Sequence, residues 1–159
     1  MKSLTLTNRD ATITLGKKIG QQLVAGDVLV LDGDLGAGKT TFTKGLAAGL
    51  EIPDIIKSPT FTIIHEYQDG RLPLYHMDAY RLENGGAEDL GLEEYFDGDG
   101  VSVVEWAEFV EDELPTDFLA IHFKRTGDDN TRILEFEPYG QHFDQIVKSV
   151  VKQWQTTFR

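Results

Sequence analysis

One segment constrains this chain more than any other: Gly33-Asp34-Leu35-Gly36-Ala37-Gly38-Lys39-Thr40. It matches the pattern G-x-x-x-x-G-K-[S/T] and follows an uninterrupted apolar run, Val28-Leu29-Val30-Leu31. Such a run reads as a strand buried on both faces. A loop of this composition wraps a phosphate with successive backbone N–H groups, because glycine permits the backbone angles and the close approach. The spacing predicts a helix over 39–49, whose positive dipole end then faces the anion. Lys39 can reach the β- and γ-phosphates, and the Thr40 hydroxyl can bind Mg2+.

Around this loop, strand-like and helix-like stretches alternate. Residues 3–7 alternate like a short strand, and Asn8 or Asp10 can cap a helix carrying Leu15, Ile19 and Leu23 on one face, ended by Gly26-Asp27. Strand-like runs over 60–67 and 72–80 flank Asp69-Gly70, a hairpin signal. Residues 87–95 read as a short acidic helix, and 101–104 as a buried strand. Runs over 118–124 and 132–137 flank a second turn. Phe143, Ile146, Val147, Val150, Val151 and Trp154 form one apolar stripe on a C-terminal helix. The pattern predicts a single α/β domain over 1–159: a P-loop NTPase-like three-layer sandwich with helices on both faces of a mixed, mostly parallel sheet.

Charge and composition narrow the function. Acids outnumber bases 27 to 15, for a net charge of −12. Such a chain is not expected to grip nucleic acid, whose phosphates require a basic surface, nor an anionic membrane. With no cysteine, thiolate metal sites and a cysteine nucleophile are excluded. No apolar run approaches a membrane span, and the N-terminus has no signal-peptide core, so a soluble cytoplasmic protein is expected. Between Arg81 and Lys124 there is no lysine or arginine, while that stretch holds 13 of the acids. It reads as a solvated acidic face or as a docking surface for a basic partner.

Nucleotide chemistry with Mg2+ needs a carboxylate near the loop, and the ends of buried strands are where ligands sit. Glu105, after Val101-Ser102-Val103-Val104, is the better metal candidate. Asp78 ends Leu74-Tyr75-His76-Met77 and would share a strand face with His76. Either acid could instead be a surface group at a strand end. Ser58-Pro59-Thr60 lies where nucleotide switches carry a hydroxyl that senses the γ-phosphate, or is a plain proline turn. No guanine-reading Asn/Thr-Lys-x-Asp element occurs late in the chain, which favours adenine. The four histidines show no helical pairing that suggests a metal site, and Trp106 and Trp154 read as core residues.

Four elements stand in order: Gly33–Thr41, Ser58-Pro59-Thr60-Phe61, His76-Met77-Asp78-Ala79-Tyr80-Arg81 and Glu105-Trp106. Over nearly its whole length the chain resembles the TsaE (YjeE) family, small bacterial P-loop ATPases of tRNA threonylcarbamoyladenosine synthesis. The resemblance implies a protein that binds and slowly hydrolyses ATP and docks on the TsaB–TsaD pair, which modifies the adenosine at tRNA position 37. Hydrolysis would reset that complex, and tRNA binding would fall to the partners. The resemblance places ATP on Gly33, Asp34, Leu35, Gly36, Ala37, Gly38, Lys39, Thr40 and Thr41. It assigns Mg2+ to Thr40 and Glu105, the attacking water to Asp78, and a switch-like loop to Thr60. Arg132 and Arg9 align by spacing alone with nucleotide-contacting positions. A small-molecule kinase is the alternative; no arginine-rich lid segment follows the core to support it. A nucleotide-gated binding module with negligible chemistry is a third possibility.

Overall fold

The computed structural model describes residues 2–34, 37–56 and 63–157. Seven strands form one sheet: β1 (Lys2–Leu6), β2 (Val28–Gly33), β3 (Ile64–Tyr67), β4 (Leu74–Asp78), β5 (Val101–Glu105), β6 (Phe118–Arg125) and β7 (Arg132–Tyr139). Their order across the sheet is β1-β7-β6-β2-β5-β4-β3. The expected mixed sheet is present: four of its seven strands, β6, β2, β5 and β4, form the parallel centre, with antiparallel pairings at the edges. Pairings β6–β2, β2–β5 and β5–β4 are parallel, whereas β1–β7, β7–β6 and β4–β3 are antiparallel. The physical reason lies in the connections: short turns join β3 to β4 and β6 to β7, and a short turn can only reverse the chain.

Alternation along β2 builds two cores. Leu29 and Leu31 join Val101, Val103, Leu119, Ile121 and Leu134 beneath the helices α1 (Arg9–Gly20), α2 (Lys39–Gly49) and α4 (Gln141–Thr157). Val28 and Val30 join Tyr75, Met77, Val104 and Ala120 on the opposite face. That face is covered by short pieces: 3-10 turns at Tyr80–Leu82 and Ala87–Asp89, the single-turn helix α3 (Leu92–Phe96), and a 3-10 stretch over Ala107–Glu113. The acidic helix expected over 87–95 is therefore two pieces, divided by Gly91 in the left-handed region (φ 65°). The Ala107–Glu113 stretch has no counterpart in the sequence reading.

α1 and α2 run parallel and touch backbone to backbone through glycines spaced by four. A Cβ at Gly45 would collide with the Ile13 carbonyl oxygen, and one at Gly16 with that of Phe42. α1 begins under an Asn8 cap, whose side chain accepts the Ala11 N–H at 2.8 Å. Beyond its end, the Arg71 guanidinium donates to the carbonyls of Gly20 (2.9 Å) and Leu23 (3.2 Å). The helix that follows the glycine-rich loop is thus fixed against a neighbour capped at both ends. Among the described residues, no helix is long and apolar enough to cross a membrane.

Candidate functional site

The glycine-rich segment leaves β2 at the carboxyl end of the parallel strands and enters α2. Gly38 precedes α2 with φ 106°, a left-handed value that a side chain would strain. Unlike α1, α2 has no side-chain cap and no acidic residue in its first turn. Its first N–H groups, which a helix cannot satisfy internally, therefore carry a positive end that no cap or acid of α2's own first turn neutralises. Gly33 lies against β6, where a Cβ would stand 2.7 Å from the Phe123 carbonyl oxygen. The Phe123 ring meets Phe42 of α2 edge-on, with centroids 5.5 Å apart. One residue of β6 thus supports both ends of the loop.

Glu105 ends β5 beside β2, in register with Leu31. Only 8% exposed, it divides its two carboxylate oxygens between two partners. Oε1 stands 3.5 Å from Lys39 Nζ, and Oε2 stands 2.7 Å from Nε2 of His76, which is fully buried. Burial opposes ionisation of Glu105, but the hydrogen bond and charge interaction with His76, and then those with Lys39, outweigh it and hold the carboxyl below its ordinary value of 4.5. Asp78 ends β4 in register with Glu105, so the two acids stand side by side on neighbouring strands. Its Oδ1 accepts the Tyr80 N–H at 3.0 Å, which also stabilises the turn leaving β4.

Trp106, next after Glu105, departs from the core role read from its sequence. It adopts the left-handed region (φ 60°, ψ 44°), is 41% exposed, and lies under Lys39 Nζ, which stands 5.7 Å from the ring centroid. It contacts Tyr80 (centroids 5.0 Å apart) and stacks near Phe109 (6.2 Å). Strained non-glycine backbone of this kind collects at functional sites. A cavity of about 620 Å³ opens at the ends of β2, β5 and β6, with Gly33, Lys39, Trp106, Phe123 and Lys124 in its lining. That volume suits a nucleotide-sized ligand.

Several sequence-predicted residues gather at this end of the sheet: Gly33, Asp34, Ala37, Gly38, Lys39, Thr40 and Thr41 in the loop and first turn, with Glu105 and Asp78 opposite. Arg132 begins β7 beside the loop, its Cγ 4.0 Å from where a Cβ on Gly38 would stand; its guanidinium donates to the Asp129 carbonyl at 2.7 Å. Arg9 is the exposed first residue of α1, and the parallel run of α1 and α2 puts it at the same end. Leu35, Gly36 and the Ser58-Pro59-Thr60 segment lie outside the described residues. Sequence reasoning missed His76 and Phe123 as supports and the Tyr80–Trp106–Phe109 cluster. For His76 the signal was present: the strand period of two that it shares with Asp78.

Comparison with known proteins shows the family. The model of the family described as Threonylcarbamoyl adenosine biosynthesis protein TsaE matches residues 6–134. A Bacillus subtilis protein named tRNA threonylcarbamoyladenosine biosynthesis protein TsaE is 52% identical over 143 residues, covering 90% of this chain and 89% of its own. A protein of that name from Nostoc is 42% identical over 151 residues, covering 92% of each. The crystal structure of Bacillus subtilis YdiB superposes with a TM-score of 0.84 at 45% identity, over 96% of this chain and 95% of that one. Fold, loop and relatives converge: the chain belongs to the TsaE family of tRNA threonylcarbamoyladenosine biosynthesis proteins.

Proposed function

We propose that the protein binds ATP with Mg2+ at the α2 N-terminus and hydrolyses it slowly, as the accessory ATPase of a TsaB–TsaD complex. The observation that carries this reading is the uncapped start of α2, with Lys39 and Glu105 facing each other beside it. The loop N–H groups and Lys39 hold the phosphates. Thr40 and Glu105 would hold the metal, which neutralises phosphate charge during transfer. The donor chemistry fits a hard cation, since both are oxygen ligands and Glu105 is held ionised at the mouth of the site. A hydroxyl and one carboxylate, completed by phosphate oxygens and water, suit Mg2+. Asp78, one strand away, orients the attacking water. Arg81 is the only arginine between Arg71 and Arg125, so partner contacts supply what remains of the charge stabilisation. The acidic chain leaves tRNA to its partners.

The test is phosphate release from Mg·ATP by the protein alone and with purified TsaB–TsaD. Slow basal turnover that rises with the partners is expected, and Asp78→Asn should bind ATP yet lose turnover. Absence of any complex or stimulation would contradict the partner role. ATP-dependent phosphorylation of a hydroxylated metabolite would point to a kinase instead.

A further inference from the structure

We infer that His76 is the positioning residue for Glu105, holding one carboxylate oxygen so that the other is directed at the bound nucleotide's metal; this rests on the ATP-binding reading above. His76 lies within an apolar strand face, opposite Val103 in the β4–β5 register and two residues after Leu74. It has no exposure, although polar groups in such places normally satisfy all their hydrogen-bonding atoms. Among the described residues its Nδ1 has no hydrogen-bond partner, and its Nε2 meets Glu105 Oε2 at 2.7 Å. Because an ionised carboxylate only accepts, Nε2 carries the hydrogen and donates it. A buried imidazole that uses one nitrogen, on one carboxylate, is placed for that carboxylate. The period of the strand completes the logic: His76 and Asp78 project to the same face, His76 one step behind Glu105 and Asp78 level with it.

With Oε2 anchored, the Glu105 carboxylate cannot rotate to turn both oxygens on Lys39, and Oε1 keeps a fixed direction at the mouth of the site. Partners of this kind behind a metal ligand typically change metal affinity or activity by roughly 10–100-fold. His76 itself touches neither phosphate nor metal, so its removal acts through Glu105.

The experiment compares the full-length wild type with His76→Leu, which fills the space without a donor, and His76→Gln, whose amide N–H can reach toward Oε2. Two quantities are read: ADP affinity in EDTA by calorimetry, and Mn2+ affinity of the ADP-saturated protein by electron paramagnetic resonance. The expected result is ADP affinity within about twofold of wild type in both variants, Mn2+ affinity weakened roughly 10–100-fold in His76→Leu, and most of that loss recovered in His76→Gln. Wild-type Mn2+ affinity in His76→Leu overturns the inference, as does a folded His76→Gln that loses Mn2+ as badly as His76→Leu. If His76→Leu does not fold, His76→Gln decides: Mn2+ affinity near wild type supports the role, and a loss of roughly 10-fold or more overturns it. A wild-type protein that binds neither ADP nor Mn2+ removes the ATP-binding reading itself, a separate outcome.

Discussion

The two faces of the sheet are covered in different ways. On one, continuous helices pack α1 against α2 through glycines at backbone contact and enclose Phe42, Leu46 and Phe136 with almost no exposure. On the other, no covering piece exceeds seven residues, and Tyr80 and Trp106 remain half exposed. The segment 82–123, which supplies most of that second covering, has 13 acids and no lysine or arginine. The glycine-rich loop and Glu105 sit at the edge of the first face; if they hold phosphate and metal as proposed, an error of an ångström in a backbone N–H or carboxylate there would be costly. The second face brings aromatic and acidic surface to the same edge, through Trp106. Positional accuracy and surface presentation are thus assigned to opposite sides of one sheet.

Truncation at matched aromatic positions tests this division most strongly. Phe42→Ala on the helical face should cost about 3–5 kcal/mol in denaturant unfolding, because the ring is fully buried. Gly45→Ala comes next: its Cβ forces α1 and α2 apart, for about 1–3 kcal/mol and a Tm lower by roughly 2–12 °C. Trp106→Ala should cost only about 1 kcal/mol, the scale of its aromatic contacts, since the side chain is 41% exposed. Equal losses at Phe42 and Trp106 would erase the contrast between the faces.

The smallest effect concerns pH. His122 lies between Asp32, just before the loop, and Glu137 on β7. Burial opposes its protonation, but hydrogen bonds and charge from both carboxylates prevail and raise its pKa above 6.5. A raised value means stabilisation fully present below pH 6.5 and lost as pH rises through the folded-state value. The side chain is partly exposed, so the contribution should stay well under about 1 kcal/mol. The stability difference between wild type and His122→Gln, followed by urea unfolding, should be larger at pH 6 than at pH 9; a difference that grows with pH contradicts the assignment.

The sequence was most legible where one period or one motif dominates. The helix over 39–49 and the strand from Val28 coincide with α2 and the start of β2, and the C-terminal stripe lies on α4, because each buries a continuous face. Asp78 and Glu105 could each be read as a strand-end acid because two apolar strands finish in them; that they stand side by side comes from the sheet order. Legibility failed on the second face. Gly91 interrupts the acidic helix, and Ala107–Glu113 forms from a run of acids around Phe109 and Val110 with no clear period. Trp106 was misread because nothing local announces a left-handed tryptophan; its conformation is imposed by the exit from β5. The strand period puts His76 on the face of Asp78, but its pairing with Glu105, 29 residues away, is a tertiary relation that spacing does not show.

Calorimetry with Mg·ADP, on the wild type and on Lys39→Ala, addresses the loop most directly. The account predicts saturable heat from the wild type and affinity weaker by roughly 10–100-fold in Lys39→Ala, with unfolding behaviour unchanged, because one charge-assisted contact to phosphate is removed. A wild type that gives no heat, or a Lys39→Ala that binds as tightly, would contradict it.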